Sequence, residues 1–191
     1  MKSPLCLASS SPRRQQLLRQ LGVPFYSKPP TFSELSPEQV TCLSPRELAL
    51  RNAMGKAFSV WNPGSDPWVL AADTLVVLGA VCLGKPKDLT EARTMLELLS
   101  GKTHHVLTAL VLVTPSRQIR SLICATEVEF RRLTPPLIES YLQEVPVLDK
   151  AGAYAAQEKA EWLIKEVRGS YTNVLGFPIE EVACLLAKGN P

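Results

Sequence analysis

Val69-Leu70-Ala71-Ala72-Asp73-Thr74-Leu75-Val76-Val77-Leu78 is the stretch on which the fold turns. Two apolar runs, 69–72 and 75–78, flank an Asp-Thr pair. Short aliphatic runs of this kind read as buried strand. Asp73-Thr74 is expected to interrupt the strand. Gly79-Ala80 then makes a two-residue turn into Val81–Leu83. A carboxylate in so apolar a setting is costly to bury unless it is paired or binds a metal. At a strand end facing a cleft, Asp73 would hold a divalent cation or activate water. The other reading is an exposed turn cap.

Upstream, Leu5–Ala8 reads as a buried strand and Pro12–Leu21 as a helix. Ser11 is its cap, Pro12 its first residue and Gly22 its stop. Val23–Lys28 is a second strand. Pro29 to Pro45, rich in Pro, Ser, Thr and Glu, is a loop, and a structureless loop of this length in a compact domain points to function. Ser44–Val60 is a helix opened by a capping box with Glu47; Asn62–Pro67 breaks it. Downstream, Asp88-Leu89-Thr90-Glu91 caps a helix to about Leu99. Val106–Val113 is a buried strand and Ile119–Arg131 a longer, half-exposed one. Thr134-Pro135 starts a helix to about Glu144. Trp162–Val167 reads as strand, with helix as the alternative, and Pro178–Lys188 closes the chain as a helix. Strands and helices mix without strict alternation, so the class is α/β or α+β, and no linker divides the chain.

The 191 residues carry 21 Lys+Arg against 18 Asp+Glu, a net charge of +3. The length fits one domain with its own core. The charge is too small for a general nucleic-acid binder, although Arg13, Arg14, Arg131 and Arg132 offer that alternative. No apolar run approaches the roughly 18 residues of a membrane span. Five cysteines without a C-x-x-C pair read as reduced thiols in a cytoplasmic protein.

Four constellations carry chemistry. Ser9-Ser10-Ser11-Pro12-Arg13-Arg14 puts two arginines into a helix's first turn, where acidic residues belong. A bound phosphate resolves that conflict, with hydroxyls, free N–H groups and guanidinium groups converging on it. In the bland reading the serines only cap and the arginines face solvent. Asp73 is the second. Gly84-Lys85-Pro86 is the third: a close backbone approach beside a point charge, or a plain surface turn. Asp149 to Gln157 is the fourth, with small residues, a tyrosine and an amide suited to a flat base. Lys56 and Glu34 taken singly read as solvated charges. His104-His105 lacks metal-helix spacing and reads as strand entry.

Taken together, these segments resemble the Maf family of nucleoside triphosphate pyrophosphatases. The matching stretches, in order, are L-A-S-S-S-P-R-R (7–14), Glu34, N-A-M-G-K-A (52–57), A-A-D-T-L-V (71–76), G-K-P (84–86), S-G-K-T-H (100–104), D-K-A-G-A-Y (149–154) and G-S-Y-T-N-V-L-G-F-P (169–178). Tyr154-Ala155-Ala156-Gln157 resembles the signature of the branch acting on dTTP and UTP. Two positions depart from the pattern. Ser33 precedes Glu34 where the family usually has Asp, and Glu158 follows Gln157 where glycine is common.

The resemblance implies an elongated α/β fold like that of the inosine triphosphatases, with a mixed sheet and two lobes around a central cleft, as a single domain over 1–191. It implies a homodimer and a divalent metal, Mg²⁺ or Mn²⁺. The reaction would split a nucleoside triphosphate into monophosphate and pyrophosphate, keeping nucleotide pools clean. On that reading Asp73, Lys56 and Lys85 are catalytic, and Ser9, Ser10, Arg13 and Arg14 bind phosphate together with the Ser10–Ser11 backbone. Glu34 and Asp73 hold the metal, while Thr74 and Gln157 read the base. The alternatives are a low-activity or non-catalytic regulator of cell division, favoured by Ser33, and a 7-methyl-GTP pyrophosphatase.

Overall fold

The computed structural model describes residues 5–40, 42–62 and 68–187. Three long strands form its spine: β3 (Trp68–Leu78), β5 (Thr103–Val113) and β6 (Ile119–Phe130), joined antiparallel. Eleven residues of strand reach roughly 35 Å, so each strand is long enough to serve two cores. β1 (Leu5–Ala8) lies parallel to β3, β2 (Phe25–Lys28) lies parallel to β1, and β7 (Ile164–Arg168) closes the far side antiparallel to β6. The order is β2-β1-β3-β5-β6-β7, with β4 (Val81–Leu83) hairpinned onto β3.

Strand alternation divides the core. Val69 and Ala71 pack with α2 (Pro45–Val60) on one face. Leu70 and Ala72 pack on the other with Leu17 and Leu18 of α1 (Pro12–Gln20) and Val182, Leu185 and Leu186 of α7 (Ile179–Ala187). At the far end Val76, Val106 and Val128 join a third core under α3 (Leu89–Leu99) and α4 (Pro135–Glu144). The cleft lies where the cores meet.

Local signals place most of these elements. Ser44 and Glu47 form the reciprocal capping box, and Asp88 caps α3 by accepting from the Glu91 N–H. The Asp73-Thr74 interruption is corrected: β3 runs straight through, with Asp73 paired to Ala109 and Thr74 to Thr108. The pair leaves the ladder intact because both polar side chains find partners on other elements. Trp162–Val167 divides into a helical turn, α5 (Ala160–Leu163), followed by β7. A further turn, α6 (Tyr171–Val174), carries no helical periodicity. The expected break at Asn62–Pro67 and the end of the last helix at Lys188 fall largely outside the described residues.

Candidate active site

Because neighbouring strand residues face opposite ways, Asp73 and Thr74 serve different walls of one cleft. Asp73, 3% exposed, points at α2. The Lys56 ammonium donates to its Oδ1 at 2.6 Å, and the Asn52 amide donates to its Oδ2 at 3.3 Å. Lys56 also reaches Glu34 Oε1 at 2.8 Å, and Lys85 donates to both Glu34 oxygens at 3.0 and 2.8 Å. Four charges therefore alternate along the cleft as Asp73, Lys56, Glu34 and Lys85. Burial opposes ionisation of Glu34, but Lys56 and then Lys85 outweigh it and hold its pKa down at about 2.

The loop that carries Glu34 is strapped to one stripe of α2. The Thr31 N–H donates to Ser59 Oγ, and the Phe32 ring lies on Gly55. Asn52 accepts from the Leu35 N–H and donates to the Leu35 carbonyl, at 2.9 and 3.0 Å. Residues 52, 55, 56 and 59 follow the i, i+3, i+4, i+7 spacing of one helix face. Gly55 is needed because a Cβ there would lie 2.4 Å from Phe32 Cε2. These anchors hold residues 31–35 against α2.

Thr74 faces α1. The Arg14 guanidinium spans three acceptors: the Gly176 carbonyl at 3.0 Å, the Ala72 carbonyl at 2.6 Å and Thr74 Oγ1 at 3.0 Å. Thr74 Oγ1 is also 3.0 Å from Thr108 Oγ1. Burial lowers the Arg14 pKa, and Asp73 and then Glu34 counter it. Arg14 thus neither faces solvent nor presents its whole guanidinium to the cleft: it ties α1, β3 and the segment before α7 together. Of the Ser10–Ser11 backbone, the Ser11 N–H is already engaged. The Ser11 N–H donates to Ser9 Oγ at 3.1 Å, the Ser11 hydroxyl caps the Arg14 N–H, and Pro12 has no N–H to give. Arg13 is left to present the helix end.

One cleft of about 680 Å³ is lined by Ser9, Ser10, Arg13, Arg14, Glu34, Lys56, Asp73, Thr74, Lys85 and Gln157. Its volume lies within the range of small-molecule sites. Asn52 and Lys150, also in its wall, lie in the stretches 52–57 and 149–157 but carry no role assigned from the sequence. The four-residue spacing from Asn52 to Lys56 was the available signal for the first. Lys150 is 7% exposed, and its ammonium bonds the Pro146 carbonyl and Asp149 Oδ1. Burial raises the Asp149 pKa, but Lys150 and then Arg13 bring it below the ordinary value. Ser33 is exposed and does not line the cleft. Glu158 does line it.

Among the described residues no cluster of three His, Cys, Asp or Glu forms a protein-only metal cage. Glu34 and Asp73 instead converge on a single ammonium, 2.8 and 2.6 Å away. Two carboxylates about one positive centre suit Mg²⁺, which takes one or two carboxylates and completes its shell with waters and substrate phosphates.

These features describe an α/β protein with a mixed-charge cleft across its central strands. The chain belongs to the Maf-like protein family, whose model matches residues 4–189. It is 45% identical over 190 residues to a dTTP/UTP pyrophosphatase of Akkermansia muciniphila, covering 99% of this chain and 98% of that protein. A dTTP/UTP pyrophosphatase of Anaeromyxobacter dehalogenans is 46% identical, with 96% of this chain and 93% of that one covered. In fold the chain is similar to a HAM1 protein from Coxiella burnetii, with a TM-score of 0.51, 19% identity, and coverage of 98% of this chain and 100% of that chain.

Proposed function

We propose that this chain is a nucleoside triphosphate pyrophosphatase acting on dTTP and UTP, releasing the nucleoside monophosphate and pyrophosphate. The observation that carries the proposal is the alternating series Asp73, Lys56, Glu34, Lys85 in the cleft beside Arg13. A triphosphate brings about four negative charges, which such a site must neutralise without losing its carboxylates.

Arg13, Lys56 and Lys85 bind the phosphates, with Ser9 and Ser10 completing the cradle. Arg14 is assigned to holding β3 and the 176 carbonyl in place beside them. Asp73 keeps acceptor capacity beyond its bonds to Lys56 and Asn52, since each carboxylate oxygen has two lone pairs. It orients the attacking water and accepts its proton. Glu34 and Asp73 would hold a divalent cation, which supplies charge neutralisation at the phosphates. Gln157 reads the base edge. Thr74, its hydroxyl already engaged, supports that wall through Arg14. The protein acts in the cytoplasm, as a homodimer, without nucleic acid or membrane. Sedimentation at a mass of two chains supports the dimer, and a single-chain mass refutes it.

The test is pyrophosphate release with Mg²⁺ from a panel of dTTP, UTP, CTP and 7-methyl-GTP. Turnover highest with dTTP and UTP is expected. A preference for 7-methyl-GTP, or binding without release, replaces the proposal with one of its alternatives.

A further inference from the structure

Residues 154–157 carry no helix or strand, so their backbone polar groups have no ladder to hold them. Two tyrosine hydroxyls bind backbone groups of this segment, and a third anchors the Tyr154 ring. The Tyr141 hydroxyl accepts from the Ala155 N–H at 2.9 Å. The Tyr154 hydroxyl lies 2.9 Å from Nε2 of buried His104. The Tyr171 hydroxyl donates to the Ala156 carbonyl at 2.6 Å. Tyr141 and Tyr154 are buried, and Tyr171 is 49% exposed.

Tyr171 stands on a rigid base. It is the first residue of α6, which Ser170 caps through the Asn173 N–H. The Asn173 side chain is fully buried and donates to the Val106 carbonyl on β5 and to Thr126 Oγ1 on β6, at 2.9 and 3.0 Å. Thr126 in turn donates to the Ser170 carbonyl at 3.1 Å. Hydrogen bonds thus fix Ser170 and Asn173, on either side of Tyr171, to the central strands, and the Tyr171 hydroxyl carries that anchorage to the peptide that joins Ala156 to Gln157.

We infer that Tyr171 is a specificity-determining positioning residue: its hydroxyl fixes the peptide before Gln157 and so sets where that amide meets the base. The inference rests on the reading of Gln157 as the base-recognising residue. Tyr171 is not among the residues that line the cleft, so its hydroxyl acts through the peptide it binds.

The test compares Tyr171→Phe and Gln157→Ala in the full chain. The readouts are kcat/KM for dTTP over CTP and competitive inhibition by inorganic tripolyphosphate. With Tyr171→Phe the dTTP/CTP ratio should fall about fivefold, the worth of one neutral hydrogen bond. Tripolyphosphate inhibition should stay at the parent value, and the thermal midpoint should fall by no more than about 2–4 °C. Gln157→Ala should lower the ratio further. If Gln157→Ala lowers it and Tyr171→Phe does not, or Tyr171→Phe weakens tripolyphosphate inhibition equally, the positioning role is overturned. If Gln157→Ala leaves the ratio unchanged, the base reading fails, and the role given to Tyr171 falls with it.

Discussion

At the scale of residues, the cleft is a set of charges that hold one another in reserve. Lys56 and Asp73 are both almost fully buried, 5% and 3% exposed. Removing one member of a buried pair leaves the other uncompensated, at about 3–5 kcal/mol. Lys56→Met is therefore expected to lower stability by about that amount, and Lys56→Met with Asp73→Asn by clearly less than the sum of the two. Urea unfolding of the three variants checks this; strict additivity would mean that the pair is not coupled. Asp73→Asn keeps the shape but cannot take a proton, so kcat should fall by about 10²–10⁴ with little change in KM. Arg13 and Arg14 should separate. Arg13→Ala raises KM in a stably folded protein, while Arg14→Ala lowers the thermal midpoint as well, because it releases the Ala72, Gly176 and Thr74 contacts. Equal behaviour of the two in both assays would refute that division.

At the scale of elements, α2 is the organising part. One of its stripes binds the Glu34 loop and presents Asn52 and Lys56 to Asp73, and other faces build the core. Gly55→Ala should push Phe32 off the helix and loosen the strap. The expected result is a several-fold rise in KM for the triphosphate with helix content unchanged; parent kinetics would mean that the strap does not set Glu34. Gly152 makes a second close approach. Its φ is +70°, its N–H donates to the Gly84 carbonyl, and a Cβ would lie 2.9 Å from Val76 Cγ2. That contact joins the loop of Lys150 to the loop of Lys85. What the sequence shows at this scale is what neighbours decide. Ser44 with Glu47, Asp88 with Glu91, and Ser11 before Pro12 mark helix starts through contacts three residues long. Distant partners decide the remainder. Asp73 stays inside a strand because Lys56 and Asn52 meet it, and Arg14, in the cleft wall, is also tied to a carbonyl 162 positions on. The tyrosine frame of 154–157 depends on residues 104, 141 and 171, which no local pattern connects.

At the scale of the whole molecule, long strands shared by several cores let one cleft draw on nearly the full length of the chain. The same burial sets its response to acid. Burial, with His105 adding to it, pushes His104 from the ordinary 6.5 down to about 4. Between those values the unfolded chain binds a proton that the folded chain refuses, so stability rises with pH across that window and is lost on acidification. The loss approaches about 3 kcal/mol near pH 4. Glu34 adds to it lower down: its folded pKa of about 2 lies below the ordinary 4.5, so its contribution is present above 4.5 and fades as pH falls toward 2. Urea midpoints at pH 7 and pH 5 should differ in the parent, and His104→Asn should flatten the difference; an unchanged slope would remove His104 as its source. In the proposed reaction, water held by Asp73 attacks the phosphorus nearest the nucleoside. Turnover of dTTP with Mg²⁺ in heavy-oxygen water is the decisive measurement. The expected products are dTMP and pyrophosphate, with the heavy oxygen in dTMP. Label in the pyrophosphate, or dTDP and inorganic phosphate as products, would contradict it.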